Sequence, residues 1–343
     1  MKQGLQYIVA FLSYWLGLSD IFYAINKKAK RVITFHNVIP DNLCPPSMVD
    51  STVCTESSFR RILAEIRTRF RVSNDLADTQ SVTLTFDDGY LNQYEIASRV
   101  LDQMGNLPAA LFVSGANRDN TNPNKALVVD LLLLWVNFAR PGKYSIAGKT
   151  FELTSSNRHL TWVSILRPAF VADVDSGGEN VLKELSSQCS VALILGSLSP
   201  EYVRLRYTGV SSTQIDELRK RGWRVGWHTR KHFPLKALSM ERKRDELTPD
   251  QDMNGEWFSY PYGESMSVGD ADLKMVEKSG YPCAFSNINY DTELRGRFFL
   301  PRMGLKEDRY LLHYELSGLK HFLKHFGLLP RITYKSYEYY GND

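Results

Sequence analysis

Cysteine is scarce: the chain holds four, Cys44, Cys54, Cys189 and Cys283, and no two form a C-x-x-C pair. Spread over 343 residues they cannot make a disulfide framework, and they fit a reducing compartment, although Cys44 and Cys54 could pair in an exported protein. Glycine (22) and proline (14) show no fixed period, which excludes collagen-like, low-complexity and solenoid chains. Disorder is excluded as well, because 43% hydrophobic and 23% charged residues are enough to build a core. Surplus charge is small, +4 in all, and confined: residues 1–31 carry Lys2, Lys27, Lys28, Lys30 and Arg31 against Asp20 alone. The rest of the chain is balanced and offers nothing to nucleic acid.

That basic excess adjoins the most apolar stretch, Leu5 to Ile25, which suits an anionic membrane surface. A signal peptide is poorly supported, since the best cleavage point, after Ala24, puts Phe22 at −3 where a small residue is preferred. A span of about 20 residues just fits, yet Ser13, Gly17, Ser19 and Asp20 interrupt it. Gly17-Leu18-Ser19-Asp20 reads as a helix stop followed by an N-cap, giving two short aromatic-rich helices suited to an interface or to packing on the domain. In either membrane reading, Lys27, Lys28, Lys30 and Arg31 would keep the following domain on the cytoplasmic side.

From Arg31 onward β-rich runs alternate with helical spacing. Arg31–His36, Ser81–Phe86, Ala109–Val113, Trp223–Trp227, Trp257–Tyr260 and Cys283–Ser286 read as strands. Glu56–Phe70, Tyr94–Met104, Thr213–Arg221, Met240–Leu247 and Ala271–Ser279 read as helices. Such alternation predicts a parallel sheet or barrel with active residues at strand ends. Between residues 117 and 210 the rhythm breaks: Leu131–Trp135 is an apolar helical run and Lys143–Leu153 a small hairpin, together an insertion that caps the barrel.

Three segments at strand ends carry chemistry. In Thr85-Phe86-Asp87-Asp88-Gly89 a strand delivers two adjacent carboxylates, which point oppositely and can divide tasks, one to a cation and one to a proton; the same residues also make an ordinary turn. His228-Thr229-Arg230-Lys231-His232 sets two imidazoles four apart, facing one way on a helical turn and suited to zinc with one Asp. Phe258-Ser259-Tyr260-Pro261-Tyr262-Gly263 can press a rigid surface and a free backbone N–H against a ligand, or simply turn after a buried strand.

Taken together, T-F-D-D-G, H-T-x-x-H and Y-P-Y-G resemble, in order and spacing, the motifs of polysaccharide deacetylases of carbohydrate esterase family 4. The likeness runs from about residue 31 to 305. It implies an α/β fold, a distorted (β/α)7 barrel, and a divalent metal, most often Zn2+, bound by Asp88, His228 and His232. It further implies Asp87 as the base, the Tyr262 N–H as oxyanion donor, and Tyr260 and Pro261 facing substrate. Two departures stand out. The third motif has Ser259 where the family has Arg, and the C-terminal leucine-x-x-histidine lacks a match beyond a superficial one at Leu311-Leu312-His313. Val32–Val38, carrying His36, resembles the segment of the circularly permuted biofilm-type members whose histidine is the general acid, so His36 is the candidate here. Phe299–Gly304 resembles a late segment of the same relatives, offering Arg302 as partner to Asp87.

The expected layout is therefore amphipathic membrane-facing helices over 1–30, the barrel over 31–310 and a helical tail over 311–343, with Leu316, Leu319 and Leu323 as its packing face. The expected activity is N-deacetylation of an amino sugar in a cell-envelope glycan or its lipid-linked precursor, at the inner membrane face. O-acetyl or other N-acyl hydrolysis, or silent glycan binding, are the alternatives.

Overall fold

The computed structural model describes residues 3–45, 52–263, 267–289, 296–304 and 306–327. Twelve strands are present among them: β1 (Arg31–Phe35), β2 (Asn37–Ile39), β3 (Val53–Thr55), β4 (Arg71–Val72), β5 (Ser81–Phe86), β6 (Ala110–Val113), β7 (Gly142–Ile146), β8 (Lys149–Leu153), β9 (Arg224–Trp227), β10 (Phe258–Ser259), β11 (Ala284–Phe285) and β12 (Met303–Gly304). The main sheet is parallel throughout and runs β11-β10-β9-β6-β5-β1-β12, with β4 beside the start of β5. The segment 300–304 touches both edges of this sheet: Leu300 bridges Phe285 of β11, while Met303 and Gly304 pair with Ile33 and Thr34 of β1. The sheet thus curls into a distorted seven-stranded barrel.

The sequence explains the curl. All six residues of β5 (SVTLTF) are buried, as a strand covered on both faces requires. Three aromatic rings, Phe35, Phe59 and Trp223, pack with Phe86 at ring separations of 5.6, 5.8 and 5.5 Å. Helix α3 (Glu56–Arg67) starts at Thr55, whose side chain caps Ser58 N–H, and turns Phe59, Ile62, Leu63 and Ile66 inward. After Phe35 the chain leaves the barrel and β2 pairs with β3 instead, so His36 falls at the junction between two sheets.

The N-terminal segment forms two helices, α1 (Gln3–Trp15) and α2 (Leu18–Ile25), bent by 81° at Gly17, whose φ of 73° lies in the left-handed region. No single helix among the described residues is long and apolar enough to cross a membrane. One side of the pair packs on the helices Arg309–Leu316 and Leu319–His325, burying Ala10 against Tyr314 and Leu319. The opposite side leaves Leu5, Ile8, Leu12, Trp15, Leu16 and Ile21 exposed.

Two expectations need correction here. The basic cluster beside this pair is not all at the surface: Lys30 and Arg31 are buried. Lys30 Nζ donates to the Asp75 and Asp78 carbonyls and to Ser81 Oγ, and Arg31 donates to the carbonyls of Leu316, Ala29 and Asn26. Both cations tie the start of β1 to its surroundings, and only Lys27 and Lys28 remain outward. The tail helix breaks at Gly318 (φ 87°), and Leu323 is exposed while Leu316 and Leu319 are buried. Residues 328–343 of that tail lie outside the described residues.

Candidate active site

The C-terminal ends of β1, β5, β9, β10 and β11 meet at a cavity of about 600 Å³. Asp87 and Asp88 follow β5 directly. Asp88 has φ 83° and Gly89 φ 79°, two successive left-handed residues that turn the chain sharply off the strand. A Cβ on Gly89 would lie 2.8 Å from Val113 Cγ1, so strain and space both demand glycine there. The turn is held by Asn117 Nδ2 and Ser114 N–H, which donate to the Asp88 carbonyl. Gln93 Nε2 donates to the carbonyls of both Asp87 and His36, fixing the two segments together.

His228 and His232 are brought together differently from the expected helical turn. No helix forms; Thr229 and His232 have φ of 63° and 58°, and the loop folds so that the two rings lie 4.9 Å apart. Thr229 Oγ1 accepts from His232 N–H, and buried Glu246 accepts from Lys231 N–H. The two rings do come together, but through a loop and not through the helical turn that four-residue spacing suggested.

One ligand atom from each of Asp88, His228 and His232 falls within a sphere of mutual separations no greater than 4.8 Å. Asp88 Oδ1 lies 3.5 Å from His228 Nε2 and 3.2 Å from His232 Nε2. His228 Nδ1 is 2.7 Å from the Ser259 carbonyl, so that nitrogen carries the proton and Nε2 presents its lone pair inward, the arrangement a metal-ligating histidine needs. Burial, the largest influence, pushes the His228 pKa down to about 4, keeping the ring neutral for that task. Burial pushes the Asp88 carboxyl up, but bonding to His232 and the nearby imidazoles outweigh it and leave it well below the usual range. His232 is raised, with the Asp88 carboxylate overcoming burial. Two buried imidazoles and a buried carboxylate aimed at one point fit a divalent cation.

Asp87 is fully buried and held by a fork: Arg302 Nη1 to Oδ1 at 2.7 Å and Nη2 to Oδ2 at 2.6 Å. Burial works against its charge, but the guanidinium, aided by His228, keeps the carboxyl below the usual range and so ionised. Arg302 is itself satisfied by Ser286 O, Thr85 Oγ1, Ser259 Oγ and Asn287 Oδ1. Ser259, where the resembled motif carries Arg, thus helps seat an arginine that arrives from the far end of the chain. His36 is partly exposed on the cavity wall with Nε2 3.9 Å from Asp87 Oδ2.

Tyr262 lines the cavity with φ 61°, and its N–H makes no hydrogen bond among the described residues. Tyr260 and Pro261 are placed otherwise than expected. The Tyr260 ring is wholly buried with its hydroxyl donating to the Phe298 carbonyl, and Pro261 is buried off the cavity wall. Strand alternation explains it: Ser259 faces the barrel interior, so Tyr260 faces the helix layer. His313 is distant from this site, bonded through Nδ1 to Tyr23 Oη and through Nε2 to Glu65 at 2.8 Å each.

Sequence reasoning missed several wall residues. Asp130, Leu133, Trp162 and Arg167 come from the insertion. Asp130 is locked by Arg206 at 2.7 Å and by the hydroxyl of Tyr90, two residues past Asp88. Asn287 was detectable, since it follows a strand end; the insertion residues carry no pattern that marks them.

The site is of the class of buried carboxylate–histidine centres at the mouth of an α/β barrel. No family model and no curated protein sequence matches the chain. Solved structures do resemble it in fold. The deacetylase PplD of Streptococcus pyogenes, in complex with acetate, is 13% identical over 81% of this chain and 92% of that one, with a TM-score of 0.47. IcaB from Ammonifex degensii is 16% identical over 84% and 96%, with a TM-score of 0.44. A de-N-acetylase from Aggregatibacter actinomycetemcomitans is 13% identical over 81% and 95%, also with 0.44.

Proposed function

We propose that the chain is a metal-dependent carbohydrate deacetylase of the polysaccharide deacetylase family, removing the N-acetyl group from an amino sugar. The observation that carries this reading is the pairing of two neighbouring, differently held aspartates: Asp88 aimed with His228 and His232 at one point, and Asp87 clamped by Arg302 beside it. The T-F-D-D-G, H-T-x-x-H and Y-P-Y-G segments support the same family.

A divalent ion, taken here as Zn2+, would be held by Asp88, His228 and His232 and would polarise the acyl carbonyl and acidify water. Asp87, kept ionised and oriented by the Arg302 fork, accepts the proton of the attacking water. The Tyr262 N–H donates to the carbonyl oxygen as negative charge develops. His36, on the cavity wall, gives a proton to the departing amine, which leaves poorly without one. The substrate is an acetylated glycan or its lipid-linked precursor. Leu133, Trp162 and Arg167 form the wall against which the sugar lies.

The exposed apolar side of α1 and α2 is read as a peripheral contact with the cytoplasmic membrane face, with the exposed Lys27 and Lys28 following α2 in the chain. Acetate release from a panel of N-acetylated and O-acetylated sugars, before and after chelation and with zinc restored, tests the enzymatic reading. Release from N-acetyl substrates that falls on chelation and returns with zinc is expected; release indifferent to chelation contradicts it.

A further inference from the structure

A second cavity, of about 700 Å³, lies at the opposite end of the barrel. Its position follows from its walls: Arg31 begins β1, Arg71 begins β4, and Thr79 and Gln80 precede β5, whereas His36, Asp87 and Asp88 follow the same strands. The five residues of β1 put roughly 17 Å between the two ends. Five cationic side chains line it, Lys27, Arg31, Arg67, Arg69 and Arg71, and no carboxylate does. Two carboxylates reach these cations from outside the wall: Asp20 pairs with Arg69 at 2.5 Å and Asp78 with Arg71 at 3.2 Å. Arg67 donates to the Met104 carbonyl, and Lys27 makes no hydrogen bond or ion pair among the described residues. The cavity therefore keeps a net positive charge in a chain whose body is balanced overall.

What adjoins the cavity selects its ligand. Tyr23 and Ala24 of α2 form part of its wall. On the same helix pair Leu5, Ile8, Leu12 and Trp15 repeat at helical spacing along one exposed stripe, with Trp15 66% and Leu16 71% exposed. A soluble anion would satisfy the cations and leave this stripe in water. A bilayer satisfies both, since its phosphates and its acyl boundary lie side by side, and exposed Trp and Leu suit that boundary.

We propose that this cavity receives the phosphate of an anionic lipid headgroup while the α1–α2 stripe enters the acyl boundary. The proposal rests on the membrane-contact reading above and deepens it. It also sets the orientation. With the N-terminal rim on the bilayer, the catalytic mouth opens toward the aqueous side, so the substrate presents its acetylated sugar at a distance from the membrane, as a polymer does.

The test is co-sedimentation of the full chain with vesicles of phosphatidylcholine alone and of phosphatidylcholine mixed with phosphatidylglycerol. The wild type should bind the mixed vesicles more tightly, and the preference should fade as salt rises from about 0.1 to 1 M and the screening length shrinks from about 10 to 3 Å. Charge reversal at three exposed positions, Lys27→Glu, Arg67→Glu and Arg71→Glu together, should weaken binding to mixed vesicles at least about tenfold while sparing the phosphatidylcholine affinity. Trp15→Ser with Leu16→Ser should weaken both. Acetate release from a soluble acetylated oligosaccharide should persist in the vesicle-bound wild type. Binding of the triple variant equal to wild type on mixed vesicles overturns the headgroup site alone. Loss of soluble-substrate turnover on vesicle binding overturns the orientation, and a wild type that binds no vesicle overturns the membrane-contact reading itself.

Discussion

At the C-terminal ends of the strands Asp87 and Arg302 are buried and answer one another, whereas at the N-terminal rim Lys27, Arg67 and Arg71 stand at the surface beside uncovered apolar side chains, with Lys30 and Arg31 the buried cations of that rim. Asp87 has both oxygens on one guanidinium, and that guanidinium spends its remaining donors on four further acceptors. Around Lys27, Arg67 and Arg71 the bonding is sparse. In the roles proposed above, the difference would separate two kinds of work. A proton-transferring carboxylate must not move, so the fold surrounds it with fixed partners. A surface that meets a bilayer gains from leaving its groups unspent until the partner arrives.

The comparison breaks most visibly at the ligand set. His228→Ala or His232→Ala should remove most bound metal and lower acetate release by about 10³-fold or more, measured by metal analysis and turnover on one sample. No change of similar size should follow from any single exposed substitution at the N-terminal rim.

Next in size is the buried clamp. Arg302→Met strands a buried carboxylate and should cost about 3–5 kcal/mol in a denaturant titration. Adding Asp87→Asn should recover most of that stability without recovering turnover. Recovery of neither would mean that Arg302 matters through Ser286 and Asn287 rather than through Asp87.

His36→Ala should lower amide hydrolysis by about 10²–10⁴-fold with metal retained, while an activated aryl acetate, whose phenolate leaves without a proton, suffers much less. His313→Ala sharpens the contrast. It removes bonds to Tyr23 and Glu65 and should cost about 1–3 kcal/mol in stability while leaving the amide-to-ester ratio unchanged. An amide-selective loss at His313 instead would return the acid to the C-terminal segment.

The smallest effects belong to the N-terminal helices, and their two-sidedness dictates how to probe them. Deletion of residues 1–26 removes Tyr23 and Asn26 along with the exposed stripe, and Asn26 Nδ2 donates to the buried Ser317 carbonyl. Substitution at Trp15 and Leu16 leaves those contacts intact. It should leave turnover on soluble substrate within about twofold, as expected for surface positions outside the site.

Periodicity made most elements legible because burial imposes it directly. The alternating rhythm located β5, β9 and the helix Met240–Leu247, and Gly17-Leu18-Ser19-Asp20 located the 81° bend. What sequence could not show is where a side chain finds its partners. Lys30 and Arg31 look like a surface patch until carbonyls at the start of the barrel are found to absorb them. Tyr260 looks like a ligand platform until strand alternation turns it away from the barrel interior and buries it. The histidine loop depends on two left-handed residues that are not glycine, which no propensity reports. Trp162 and Arg167 reach the cavity only because the insertion folds back over it.

Adjacent aspartates divide the labour in the proposed site, and one sample tests that division: Asp87→Asn, assayed together for bound zinc and for acetate released from an N-acetylated sugar. Zinc should stay close to the wild-type content while turnover falls by about 10²–10⁴-fold, the scale of a lost proton acceptor. Zinc lost as fully as in Asp88→Asn, or turnover retained, would contradict that division.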